Sequence, residues 1–261
     1  MARTRPDTKL PPPFLKRVWL PEPNERDDWP DWVDWNQYPL NLGIIERAGL
    51  DLRFTHAVTI FVGENGSGKS TLLEAIAQSA GFSDKGGAVG LAAAGHEIAS
   101  GDDGGALGEL LRAAWLPQVK KGWFFKAETF FSLARVLDRA AYDVDQVGPD
   151  FLSISHGEGF LAFFEERLQG QGIYIFDEPE SALSPARQFD FLRILRRIQL
   201  EGKSQVIIAT HSPILMALPD ADLRHIHRFG INPIKLEDTE HFRLYREFVL
   251  YPHETVEAMI E

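Results

Sequence analysis

The residues with the clearest chemical purpose run from Gly63 to Thr71, GENGSGKST, and fit the pattern G-x-x-x-x-G-K-[ST] at Gly63, Gly68, Lys69 and Ser70. Glycines let the backbone curl until successive N–H groups face one point, and a helix that follows adds the positive end of its dipole. Such a turn is a cradle for a polyphosphate, completed here by Glu64, Asn65, Gly66, Ser67 and Thr71. In it the Lys69 ammonium is expected to reach the β- and γ-phosphates, and the Ser70 hydroxyl to become a magnesium ligand.

Acids and a histidine supply the rest of the chemistry. Asp177 and Glu178 close the apolar run GIYIF, which places them at the carboxyl edge of a sheet, where open α/β folds bind ligands. Asp177 is a candidate to hold magnesium through water, and Glu178 to orient or polarise an attacking water. His211 follows the run QVIIAT and is expected at the same edge as a γ-phosphate contact; a satisfied core histidine is the plainer alternative. The segment FLSISHGEGFLAFF holds a third group of interest. Ser155 with Glu158 three residues on is a capping box, which marks a helix start. A serine hydroxyl, free backbone donors and a helix dipole also make an anion site.

These groups need a scaffold, and the apolar pattern describes one. AVTIFV before the glycine turn reads as a strand, and Leu72, Leu73, Ile76 and Ala80 after it recur at helical spacing. Short strands are expected from Asn41 to Val62, a helix over Glu128 to Ala141, another over Ala186 to Leu200, and strands at GIYIFD and QVIIAT. Continuous apolar strands alternating with helices predict a mainly parallel sheet covered on both faces. Between Gly81 and Gly122, GGAVG and SGDDGG act as breakers, so a flexible, loop-rich insertion is expected there. The first forty residues are rich in Pro and Trp, and Trp29, Trp32 and Trp35 are spaced to share one side of a short helical turn, as cover for the core or as a docking stripe.

Composition narrows the classes. With 261 residues, 44% hydrophobic and 25% charged, the chain suits one large domain, or a core with an insertion. It has no cysteine, which excludes disulfides, thiolate zinc sites and cysteine nucleophiles. No apolar run approaches the roughly 18 to 20 residues that span a bilayer, and no apolar segment follows the basic start, so a cytoplasmic protein without membrane insertion is expected. A net charge of −11 argues against non-specific coating of nucleic acid, leaving local patches at Arg193, Arg196 and Arg197 and around Arg224 to Arg228.

Taken in order, GENGSGKST, SHGE, YIFDEPE, SALSP and ATHSP resemble the ATP-binding-cassette (ABC) ATPases, in particular the soluble branch that includes the SMC and RecF heads. FVGENGSGKSTLLEAIA, DEPESALSP, IIATHSPIL and DTEHF are further similar to a group of small bacterial AAA-family ATPases. The resemblance, which covers most of Tyr38 to Phe248, implies an α/β P-loop NTPase of ABC-ATPase type: a mainly parallel central sheet with flanking helices, an N-terminal antiparallel β portion and a helical insertion. Residues 1–261 would form one domain, with 1–40 as the Pro/Trp-rich segment and about 81–155 as a loop-rich and helical signature subdomain.

The family opens a helix with a signature that faces the γ-phosphate bound by the other subunit of a dimer. Ser155, His156, Gly157 and Glu158 take those places here, so they are implied to act in trans, although His156 and Glu158 depart from the transporter form. Catalysis is implied for Glu178, His211 and Lys69, magnesium binding for Ser70, Asp177 and Glu128, with Gln118 as the alternative to Glu128. Ser184 stands where many relatives have Asp. Tyr38 and Phe14 are the candidates for adenine stacking. The resemblance therefore implies an ATPase using ATP and Mg2+, in an ATP-dependent head-to-tail homodimer; the acidic charge and the absence of a coiled-coil span or added nuclease domain favour a role in regulating a protein effector. A nucleic-acid-directed ATPase of repair or phage defence is the alternative, and a transporter subunit fits less well.

Overall fold

A computed structural model describes residues 7–21, 29–46, 49–83, 86–88, 103–127 and 156–260, with backbone alone for 46, 103–105 and 156–158. Among the described residues ten strands form two sheets. The larger has the order β10-β9-β3-β8-β7-β6-β4, built from β3 (Val58–Val62), β4 (Gly87–Ala88), β6 (Gly122–Lys126), β7 (Gly172–Asp177), β8 (Ser204–Ala209), β9 (Asp222–His227) and β10 (Gly230–Pro233). Its five inner strands are parallel, and only the edge strands β4 and β10 run against their neighbours. The smaller sheet is antiparallel, with β1 (Leu15–Trp19) between β2 (Asp51–Arg53) and β5 (Arg112–Trp115). This is the mixed α/β architecture that the alternation of apolar runs predicts.

Every residue of β3, β7 and β8 is buried, because each strand is covered on both faces. Their side chains alternate between two cores. Val58, Ile60, Val62, Tyr174, Phe176, Val206 and Ile208 face one way, toward α4 (His156–Arg167), α5 (Pro185–Glu201) and α6 (Pro213–Met216). Phe61, Ile173, Ile175, Ile207 and Ala209 face the other, toward α2 (Lys69–Ser79) and the antiparallel sheet. On the first side Phe164 touches the rings of Phe125, Phe160, Phe176 and Phe191, which fastens α4 to β6, β7 and α5.

The N-terminal portion is tied down by polar side chains from far along the chain. The fully buried Gln205 accepts the backbone N–H of Phe14 and Leu15, each at 2.8 Å, and returns a bond to the Leu15 carbonyl at 3.1 Å. These bonds satisfy the start of β1 beneath the sheet, where water is excluded.

Several expectations need correction. Residues 43–46 form the short helix α1 (Gly43–Glu46), where strands are expected. The segment from Gly81 to Gly122 is less loop-like than its glycines suggest, for it contains β4, α3 (Asp103–Leu110) and β5. The reason is tertiary: buried Leu107 and Leu110 belong to the same core as α2, and Gly108 lets the two helices approach, since a Cβ there would lie 2.2 Å from Gln78 Oε1. The three tryptophans do not share one side. Tight turns such as Val33 N–H to the Pro30 carbonyl replace a helical turn, so Trp29 and Trp35 meet at 4.5 Å against the core and Trp32 stays 48% exposed. The predicted helix over Glu128 to Ala141 lies outside the described residues.

Candidate functional site

Strand register brings the chemistry together. Phe61, Ala209, Asp177 and Lys126 form one row across β3, β8, β7 and β6. Because the strands are parallel, each continues past this row on the same edge of the sheet: β3 into Gly63, β7 into Glu178, β8 into His211. Three sequence-distant segments thus converge without any of them being long.

The glycine turn wraps the start of α2. Gly66 has φ 76° and Gly68 φ 93°, left-handed conformations that a side chain disfavours. Lys69 is buried, and its ammonium donates to the carbonyls of Gly63 at 2.9 Å and Glu64 at 3.0 Å. Burial lowers its pKa, against the opposing pull of Glu178 and Asp177. The Ser67 hydroxyl oxygen is buried and has no hydrogen-bond partner among the described residues. An orphaned polar atom inside a curled, donor-rich loop fits a ligand rich in acceptors. Thr71 pairs its hydroxyl with that of Tyr38, whose ring is 46% exposed. Phe14, the other aromatic candidate for a base, is wholly buried in the core and unavailable.

Ser70 and Asp177 meet directly, the serine hydroxyl donating to Asp177 Oδ1 at 3.1 Å. Burial pushes the Asp177 carboxyl up to about 7, opposed by Lys126 and by the Ser70 bond. Lys126 itself pairs with Glu74 at 2.5 Å, so a cation and two acids surround the Ser70 hydroxyl end of α2. An oxygen-rich pair with a carboxylate that becomes an anion near neutrality suits Mg2+, which binds protein through few ligands and keeps its waters. Ser70 and Asp177 are the residues that would hold the ion.

Glu178 occupies the left-handed region at φ 49°, ψ 53°, uncommon for a residue with a Cβ. The conformation is held from both sides: its N–H donates to the Ala209 carbonyl at 3.0 Å, and its carbonyl accepts from the Ser181 hydroxyl at 2.7 Å. Backbone strain held in this way is found where a side chain must be aimed. The Glu178 carboxylate lies 3.3 Å from His211 Nε2. That contact lacks hydrogen-bond alignment, so His211 Nε2 has no hydrogen-bond partner among the described residues. The His211 main chain is fixed by its N–H donating to Glu180 Oε1 at 2.6 Å, and its Nδ1 stands 2.9 Å from Nε2 of His241. Burial, then the charge of Lys69, lowers the His211 pKa. Both favour the neutral ring.

The remaining candidates fall less neatly. Gln118 is exposed and precedes β6, on the edge opposite Asp177, so it cannot serve the site. Glu128 and Ser155 lie outside the described residues; His156, Gly157 and Glu158 begin α4, whose Phe160, Leu161, Phe163 and Phe164 are buried, as is Leu168 just after it. Ser184 caps α5, accepting from the Arg187 N–H. Sequence reasoning passed over His241, Glu180 and the Lys126–Glu74 pair. Only DTEHF, around His241, carried a signal.

Two family models match the chain: one described as "AAA domain, putative AbiEii toxin, Type IV TA system" over residues 159–217, and one described as an AAA domain over residues 40–103. The first holds the acids, Ser184 and His211, and the second the glycine turn. No curated protein matches the chain in sequence. Solved structures with a similar outline include an SMC head domain from Thermotoga maritima (16% identity, TM-score 0.45, 85% of this chain and 99% of that one). Another is cbiO1 from Clostridium perfringens, part of the ABC transporter complex cbiONQ (16%, 0.44, 82% and 92%). A third is a putative metal-chelate type ABC transporter in an inward-facing conformation (16%, 0.44, 76% and 81%).

Proposed function

We propose that the chain is a small P-loop ATPase of the AAA and ABC type, of the SMC- and RecF-like kind, and that it hydrolyses ATP within a head-to-tail dimer; the AAA-domain models matched by residues 40–103 and 159–217 support the reading. The observation that carries the reading is the convergence at one sheet edge: Lys69 in its cradle, Ser70 bonded to Asp177, and Glu178 beside His211. In this reading the amides of Gly63 to Thr71 bind phosphate oxygens, and the Lys69 ammonium leaves the Gly63 and Glu64 carbonyls for the β- and γ-phosphates. Mg2+, held by Ser70 and Asp177, with Glu128 as a further ligand, would supply charge neutralisation. Glu178 accepts a hydrogen bond from the attacking water and aims it. His211 donates from Nε2 to the γ-phosphate. Tyr38, beside Thr71, is the aromatic in reach of the adenine.

Ser155, His156, Gly157 and Glu158 complete the site of the second subunit. Supporting this is the place of His156, Gly157 and Glu158 in the first turn of α4, just ahead of the buried Phe160, Phe163 and Phe164. All 261 residues then act as one cytoplasmic ABC-type domain that couples closure of the dimer to a protein effector. The arginines of α5 give little support to a nucleic-acid target. Arg193 is paired with Asp190, Arg196 with Asp220 at 2.8 Å, and Arg197 lies 4.0 Å from Glu201. No helix among the described residues is long and apolar enough to cross a membrane.

Glu178→Gln is the test. It is expected to retain ATP binding, to lose about 10²–10⁴-fold in turnover, and to accumulate as a dimer seen by light scattering in saturating ATP and Mg2+. A variant that stays monomeric there would overturn the sandwich.

A further inference from the structure

His211 has two ring nitrogens, and the chemistry asked of it needs a particular one to carry the proton. Nε2 faces the Glu178 carboxylate at 3.3 Å, while Nδ1 faces His241 Nε2 at 2.9 Å. The two rings meet edge to edge through these nitrogens, tilted by 56°, so one must donate and the other accept. If His211 Nδ1 donated, Nε2 would turn a lone pair toward a carboxylate and, in use, toward a phosphate. If His241 Nε2 donates, His211 Nδ1 accepts and Nε2 carries the hydrogen. Which nitrogen of a histidine is protonated follows from the bond that its other nitrogen makes.

We propose that His241 is a positioning residue whose Nε2–H donates to His211 Nδ1, holding His211 as the Nε2–H tautomer with that hydrogen directed at the reacting end of the site. Glu178 approaches Nε2 at 3.3 Å without hydrogen-bond alignment, so among the described residues the bond to His241 is the one hydrogen bond on the ring. The His211 main chain is fixed by Glu180, and Nε2 has no hydrogen-bond partner among the described residues. Its donor is unspent and available to a ligand. His241 in turn is placed by the start of α7 (Glu240–Leu250). Buried Thr239 donates to the Leu236 carbonyl at 2.8 Å and caps α7 by accepting from the Phe242 N–H at 3.3 Å. Beyond that first turn α7 is exposed along its length, and Leu244, Tyr245, Phe248, Val249 and Leu250 all present large apolar surface. A helix capped beside His211 and exposed beyond its first turn links anything that moves α7 to the tautomer and position of the histidine.

The catalytic consequence rests on the ATPase reading, whereas the tautomer does not, so the experiment reads both. In protein labelled with 15N-histidine, and with the His211 signals identified by their loss in His211→Asn, the wild-type ring is expected as the Nε2–H tautomer. His241→Leu should convert it to a mixture of tautomers and lower kcat for ATP about tenfold or more, the scale seen when a partner that orients a functional histidine is removed, with KM little changed. His241→Gln, whose amide keeps a donor, should restore most of both. A His211 ring protonated at Nδ1 in the wild type overturns the proposal, as does His241→Leu with an unaltered tautomer. Loss of ATPase activity in every form, with the tautomer pattern as expected, would instead count against the ATPase reading alone. Melting temperatures of the two His241 variants separate a lost donor from a lost fold, since a purely structural role gives no rescue by Gln that tracks the 15N signals.

Discussion

Strand β7 and helix α7 both deliver a residue to the same site, and they are built in opposite ways. All six residues of β7 are buried, sandwiched between two cores, and its terminal Asp177 is located by register with β6 and β8. None of the eleven residues of α7 is buried, and His241 is located by one cap and one contact with His211. Interiors pack like crystals and move as units, whereas an element with few buried contacts shifts at little cost. The acids and the glycine turn therefore belong to the rigid part of the molecule, and the α7 end to the part that can be adjusted.

The contrast can be broken by measurement. Phe164→Ala, under β6 and β7, should destabilise the fold by about 3–5 kcal/mol in denaturant unfolding. Phe248→Ser on α7 should stay within about 0.5 kcal/mol, as for a surface site. Similar costs would mean that α7 packs as firmly as the sheet. The buried Asp177 gives a pH signature. Its folded pKa of about 7 lies above the ordinary aspartate value of 3.8. The protonated carboxyl is thus favoured in the fold, with a contribution that is complete below about pH 4 and is lost as pH rises through about 7. Without divalent ions, the stability of Asp177→Asn should therefore fall less than that of the wild type between those limits, while Mg2+ affinity of the wild type rises over the same range. Parallel stability curves would show that Asp177 is less enclosed than β7 implies. Lys69→Ala should weaken ATP binding about 10- to 100-fold by calorimetry, the cost of removing a charged donor, and unchanged affinity would count against the cradle.

Much of the sheet was legible because its strands follow simple rules. AVTIFV, GIYIFD and QVIIAT are continuous apolar runs, and only strands covered on both faces afford that pattern. The glycine turn, Asp177, Glu178 and His211 could then be assigned to one edge, since parallel strands all end there. Other parts were not legible. Strand β1 sits in a Pro-rich stretch and is held by Gln205, 190 residues away from Leu15. Helix α3 contains glycines that are poor helix formers alone, and it is retained by packing on α2. Tyr38 and Phe14 looked equivalent as aromatics, and only burial separates them.

The order of residue types along the chain determined the glycine turn, the acids at a strand end and the parallel sheet that aligns them, because each depends on local geometry or short-range periodicity. Tertiary structure alone decided which nitrogen of His211 is engaged, that His241 is its neighbour and that Glu178 is held in a left-handed turn. The first two rest on side chains 30 residues apart and the third on a backbone bond from Glu178 to Ala209, and no local pattern specifies where such groups meet.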